Sequence, residues 1–201
     1  MILNQDVILH FLKTAYFGNI DDYYIAASKR AYRDFCRTIR SQRFKNASSE
    51  SKEELRRRIT DYMKTEIELL AKMKDLDFAA FDEWHSGVCQ GIIERFTIDT
   101  LCYGQAQKWI NMTFKYLCVL DDAIYKADYF KFLHIPMDNI IIDIAVDAHF
   151  IDRPVKRWSR WNETEYKQYQ KAIRNAIHNS KGINYPPLLW EFQSWKANNI
   201  E

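Results

Sequence analysis

Turn-forming residues are scarce in this chain, whose 201 residues include only 5 Gly and 4 Pro. A sheet-rich domain of that length needs tight turns at close intervals, and those turns draw on Gly and Pro. Long helices joined by few connections need far fewer of both. The sequence therefore predicts an all-α fold, a single globular domain over residues 1–201 with eight or nine helices. Within it, a basic N-terminal helical part (1–75) precedes a part expected to carry the site (76–201).

Apolar residues make up 47% of the chain, enough for one core, and the 28% charged residues suffice to cover it. The net charge of +2 excludes no class of partner, because basic side chains can gather on one face of a balanced protein. Cys36, Cys89, Cys102 and Cys118 form no C-x-x-C pair, and the five histidines do not join them at ligand spacing. Structural zinc is therefore not expected, and unpaired thiols on helices suit a reducing compartment. The segment Met1–Lys13 has neither the basic start nor the small-residue cleavage site of a signal peptide. No apolar run reaches the roughly 18 residues of a membrane span. A cytoplasmic protein with no metal, no cofactor and no membrane contact is the expectation.

Apolar periodicity predicts helices over about 4–17, 21–43, 50–74, 77–95, 105–120 and 163–179. In the first, Val7, Ile8, Phe11, Leu12 and Ala15 make an inward stripe that Gly18 ends. In the second, Tyr32, Phe35, Cys36 and Ile39 face the core, and Arg30, Arg33, Arg37 and Arg40 line another side. Those four arginines form either a solvated face or a stripe that tracks phosphates. The third buries Leu55, Ile59, Tyr62, Met63, Leu69, Leu70 and Met73, and the fourth is broken near Gly87 and Gly91. Asp138 opens an apolar helix, Asn162 caps the next, Gly182 stops it, and Pro186-Pro187 precede a last helix carrying Trp190 and Trp195.

Two polar residues stand out against this pattern. Lys108 lies in the first turn of a helix that follows a turn at Gly104, with Gln105 and Gln107 beside it. Thirty residues on, Pro136 forces an extended approach to Asp138 at a helix start. Each has a plain reading. Asp138 is an apt N-cap whatever else it does, and Lys108 can be a surface lysine forming a rim with Lys115. Together they also form a nucleophile and an acid–base partner. An amine that sheds its proton attacks a sugar carbon, and a carboxylate stabilises the positive sugar that develops. The aromatic content of 15% likewise reads as a bulky core or as rings that stack on bases. Trp109, Trp158, Trp161 and Trp190 are the candidates for stacking.

The segment Leu101–Leu117 with His134–Asp138 resembles the helix-hairpin-helix DNA glycosylases, nearest to their divergent archaeal 8-oxoguanine branch. Gly104 matches the hairpin glycine, Lys108 the catalytic lysine and Asp138 the assisting aspartate. The segment Tyr185–Trp190 is similar to the closing portion of that branch, so the likeness spans about 92–195. It implies a DNA partner, base excision by a hydrolase without metal, and a DNA backbone contact by the Gly104 turn with Gln105 and Gln107. The sequence departs from the pattern at Tyr103, where a proline is usual, and at Ala106, where the second hairpin glycine is usual.

Two other functions stay open. Arg174 and His178, one helical turn apart, resemble the Arg–His motif of HEPN ribonucleases, though with three intervening residues where four to six are usual. The third reading is a helical interaction protein of phage defence or counter-defence that binds a protein partner through an aromatic surface.

Overall fold

The computed structural model describes residues 4–195, and every regular element among them is helical. Ten α-helices and two 3-10 turns occur, more than the eight or nine expected. The helices are α1 (Gln5–Phe17), α2 (Tyr23–Cys36), α3 (Gln42–Asn46), α4 (Ser49–Leu70), α5 (Phe78–Arg95), α6 (Tyr103–Leu120), α7 (Asp122–Lys126), α8 (Asn139–Asp147), α9 (Glu163–Lys181) and α10 (Pro187–Ser194). The 3-10 turns span Asp128–Phe132 and Trp158–Arg160. No described helix is long and apolar enough to cross a membrane.

α6 is the axis of the molecule. Fourteen of its 18 residues are buried, on every side of the helix, as expected of a helix enclosed by others. α2 lies along it, α5 and α9 pack on it, and α4 closes the far side against α2 and α5. The core joins these faces in one cluster through Phe35, Ile59, Phe81, Trp109, Tyr166 and Leu188. Side-chain caps start most helices. Asp22, Asp77, Asp138 and Asn162 each accept from a backbone N–H of the first turn.

Four expectations change. The helix expected over 21–43 ends at Cys36. There the Thr38 hydroxyl donates to the Phe35 carbonyl (2.7 Å) and the Thr38 amide to the same oxygen (2.9 Å), which tightens the last turn. Ser41 then caps the separate helix α3, so Arg40 lies beyond α2 and the four arginines share no single helix face. α5 runs unbroken through Gly87 and Gly91, and Gly91 is where Tyr62 packs: a Cβ there would stand 2.1 Å from its Oη. Leu69 and Met73, expected inside, are exposed: Leu69 lies on the outer side of α4 beside buried Leu70, and Met73 lies past the helix end at Leu70. Finally, α1 buries only Phe17, while Val7, Ile8, Leu9, Phe11 and Leu12 are all exposed. α2 packs on α1, and Lys13 and Tyr16 reach α6, but among the described residues the apolar stripe of α1 stays exposed.

Candidate active site

The site begins with the phase of α6. Lys108, Met112, Lys115 and Val119 recur at helical spacing and face one cleft. Trp109, Ile110 and Leu117, displaced around the helix, go into the core. Lys108 Nζ donates to Asp138 Oδ2 at 2.6 Å, and the side chains are 7% and 22% exposed, so the pair sits at the floor and not on the rim. The second oxygen of Asp138 has other work. Oδ1 accepts from the Ile141 amide at 2.9 Å and caps α8. The two readings of Asp138 are thus compatible, one per oxygen.

The backbone that delivers Asp138 is extended from Leu133 to Asp138 and has no partner strand. Side-chain amides take the place of one. Gln107 Nε2 donates to the Met137 carbonyl (3.0 Å) while its Oε1 accepts from the Met137 amide (3.3 Å). Asn111 and Gln170 donate to the Ile135 carbonyl at 3.3 and 2.5 Å. These amides are buried, so their pairing satisfies groups that would otherwise be costly.

Behind the segment runs a chain of hydrogen bonds that starts at the Asp82–Arg174 ion pair and continues through neutral groups. Asp82 accepts from His134 Nε2 (2.7 Å) and, with both oxygens, from Arg174 (2.9 Å each). His134 Nδ1 meets the Tyr166 hydroxyl (3.0 Å), which accepts from Asn111 Nδ2 (2.8 Å). Asn111 Oδ1 accepts from His85 Nε2 (2.9 Å). Burial works against the Asp82 charge, but the bonds from His134 and Arg174 outweigh it and hold its carboxyl well below the usual carboxylate range. Burial lowers the pKa of both His134 and His85, and the Asp82 contact only partly opposes this for His134. The histidines are thus neutral, each with one donor and one acceptor nitrogen, as this chain of bonds requires.

The cleft has a volume of about 1030 Å³. It is lined by α1, the end of α2, the cleft-facing stripe of α6, residues Arg157–Ser159, Phe192 and Trp195. Seven cationic side chains line it against two carboxylates, Asp34 and Asp138. Asp34 is already engaged by Arg30 (2.9 Å) and the Tyr116 hydroxyl (2.5 Å). A second ion pair stands two stripe positions along from Lys108. Lys115 Nζ donates to Glu191 Oε1 at 2.5 Å, 5.2 Å from the Trp195 ring centroid. Glu191 is 1% exposed and its Oε2 has no partner. Burial raises its pKa, against the pull of Lys115.

Of the residues singled out in sequence, the structure brings Lys108, Asp138, Arg30, Arg37, Arg40 and Trp158 to this cleft. Trp158 lies 5.9 Å from Lys108 Nζ, and its Nε1 donates to Asn139 Oδ1 (2.9 Å). Arg33 is exposed but does not line the cleft. Three stacking candidates are wall-less core residues instead. Trp109 is fully buried and stacks on Phe35 at 4.9 Å, Trp161 stacks on Tyr169 at 4.5 Å, and Trp190 packs on Phe150 at 5.4 Å.

The Gly104 turn departs furthest from expectation. Gly104 lies inside the first turn of α6, its amide donates to the Trp161 carbonyl (3.0 Å), and a Cβ would stand 1.9 Å from the Trp158 carbonyl. Gln105 caps α6 and reaches Thr38, and Gln107 is enclosed. None of the three is free to grip a DNA backbone. Arg174 is held by Asp82, and His178 packs on Phe78 (5.2 Å) with its Nε2 unpartnered. Neither lines the cleft. Among the described residues no group of three or more His, Cys, Asp or Glu is arranged to hold a metal.

Sequence reasoning missed Tyr16, Tyr116, Arg157, Phe192 and Trp195 as cleft residues, and treated Lys115 only as rim. The spacing of Lys115, seven residues after Lys108, was the available signal for that one. Comparison with known proteins returns no matching family model, no matching curated protein and no matching solved structure.

Proposed function

We propose that this chain is a DNA glycosylase-like enzyme that acts on a modified base, with Lys108 as nucleophile and Asp138 as its acid–base and electrostatic partner. One observation carries the reading. A lysine and an aspartate 30 residues apart in sequence meet at 2.6 Å on the floor of a cationic cleft walled by aromatic rings. Asp138 takes the ammonium proton, and the neutral amine attacks C1′ of the deoxyribose. The C1′–N bond breaks and the base departs with its electron pair, acquiring a proton. The ring oxygen then leaves C1′ to give a Schiff base on Lys108. The departing base takes its proton from Asp138, and the carboxylate so restored faces the positive charge of the Schiff base. Arg37 and Arg40 supply cations for flanking phosphates.

This reading keeps the helix-hairpin-helix resemblance for the lysine and aspartate and gives up the hairpin, because Gly104 is covered by residues 158–161. Borohydride trapping on a panel of modified-base DNAs tests it. A covalent adduct is expected with the wild-type chain and none with Lys108→Gln. Absence of adduct and of base release on every substrate, with both proteins folded, overturns it.

The exposed apolar face of α1 favours a second reading, a helical protein that binds a protein partner in phage defence or counter-defence. It requires neither an adduct nor base release, so the same experiment separates the two. The HEPN-type ribonuclease has the least support, since both terminal guanidinium nitrogens of Arg174 are occupied by Asp82.

A further inference from the structure

We infer that the cleft takes an unpaired nucleic-acid strand, DNA held as a single strand, and not a base flipped from an intact duplex. The inference rests on the glycosylase-like reading for its chemistry but on different observations for its substrate.

The first is depth. Lys108 and Lys115 are 7% and 13% exposed at the side chain, and α1, Trp158, Phe192 and Trp195 line the cleft around them. A nucleotide reaches them only after leaving any helix it belongs to. That extrusion costs a few kcal/mol in duplex DNA and least in a strand already unpaired.

The second is the lack of a duplex grip. A protein that flips a base must hold the duplex backbone beside the gap. The turn that would do so, at Gly104, has its amide on the Trp161 carbonyl and its Cα against the Trp158 carbonyl. The unpaired arginines are instead inside the cleft mouth. Arg40 and Arg157 are exposed, line the cleft and form no ion pair among the described residues, and the ion pair of Arg37 is with Asp34, at 3.5 Å. Cations within an aromatic-lined groove suit a strand whose phosphates run along the rim while its bases turn inward onto rings.

The third is the floor beyond Lys108. The rise of an α-helix sets Lys115 about 10 Å along α6 from Lys108, a span that a sugar carbon and its attached base can bridge. There the Lys115–Glu191 pair offers an ammonium donor, with an unpartnered carboxylate oxygen behind it. A buried ion pair is costly to keep in a wall unless something uses it, and the polar edge of an inserted base is such a user.

Fluorescence anisotropy tests this with a labelled single-stranded 24-mer and the duplex of the same sequence. Wild type is measured first, and Lys108→Gln is run beside it as a control in which no covalent chemistry intervenes. The single strand is expected to bind at least tenfold more tightly. Arg40→Ala with Arg157→Ala should weaken it and lower the log–log salt slope by about 1.4, two phosphate contacts at ~0.7 each. Equal or tighter duplex binding overturns the inference, as does single-strand binding indifferent to both arginines, or no binding of either DNA. Poly-glutamate that competes as well as the strand also overturns it, in favour of an acidic protein partner. The two proposals fail separately. Strand preference without any borohydride adduct leaves the inference standing and removes the lysine chemistry. An adduct formed on duplex but not on single strand does the reverse.

Discussion

Asp138 divides its oxygens between a structural and a chemical task, and substitution can separate them. Oδ1 caps α8 through the Ile141 amide at 2.9 Å, and Oδ2 holds Lys108 at 2.6 Å. Asp138→Asn keeps a capping oxygen and loses the charge; Asp138→Ala loses both. Asn and Asp cap about equally well, whereas loss of a cap costs about 1 kcal/mol. Ala should therefore be less stable than Asn by about 1 kcal/mol, roughly 2–4 °C in melting temperature for a chain this size. Both substitutions also strand a buried ammonium, which costs up to about 3 kcal/mol less whatever the amine recovers by shedding its proton. Repeating the pair in a Lys108→Met background removes that shared cost. There the Asp-to-Asn step should shrink to a few tenths of a kcal/mol, the residual preference of a helix N-terminus for negative charge. The Asn-to-Ala step should stay near ~1 kcal/mol. Urea unfolding followed by circular dichroism reads all six proteins. If Asn and Ala agree within about 0.3 kcal/mol in both backgrounds, Asp138 is not the cap of α8. If the Asp-to-Asn step is undiminished in Lys108→Met, the ion pair is not what the charge stabilises.

Two further outcomes follow from the same geometry. Gly104→Ala places a Cβ 1.9 Å from the Trp158 carbonyl; because the obstacle is backbone, destabilisation of at least ~1–3 kcal/mol is expected in urea, and a loss under ~0.5 kcal/mol contradicts the close approach. Acid should also weaken the fold. His85 and His134 have folded pKa values below their ordinary 6.5, so the unfolded chain binds protons first and stability falls as pH drops below about 6.5; Asp82, also lowered, adds a further loss below about pH 4. Melting temperatures from pH 8 to 4 check this, and a flat profile between pH 7 and 5 refutes the neutral-histidine arrangement.

Lys108 and Asp138 were legible because each carries a local signature: a polar residue out of place on an apolar helix, and an acid after X-Pro at a helix start. Helix phase was legible in α4, where Leu55, Ile59, Met63 and Leu70 are buried as expected. The break after Cys36 was not, since no Gly or Pro marks it and a threonine hydroxyl bonding back to Phe35 does the work. The α1 stripe misled because periodicity tells which residues share a face and says nothing about whether a neighbour arrives to cover it. The four tryptophans could not be ranked for a related reason. Trp109 and Trp158 differ in fate only through contacts 81 and 19 residues away, with Ser28 and Asn139. The Asp82–His134–Tyr166–Asn111–His85 chain draws its members from α5, α6, α9 and the segment before α8, and the two that are near in sequence, Asp82 and His85, are its opposite ends, so no spacing rule exposes it.

Lys108 and Trp109 are consecutive residues with opposite destinations, one on the cleft floor and one stacked on Phe35 in the centre of the core. Turning α6 far enough to re-aim the amine would drag the indole out of its packing, so the reactive geometry is as stiff as the fold itself. Leu9 and Leu12 stand on α1, which buries only Phe17, while Phe192 and Trp195 lie at the less buried end of α10 and just past it. What the cleft admits and whether the chain folds are therefore governed by different sets of residues. That separation makes the rim the place to retune selectivity, with little risk to the scaffold beneath it.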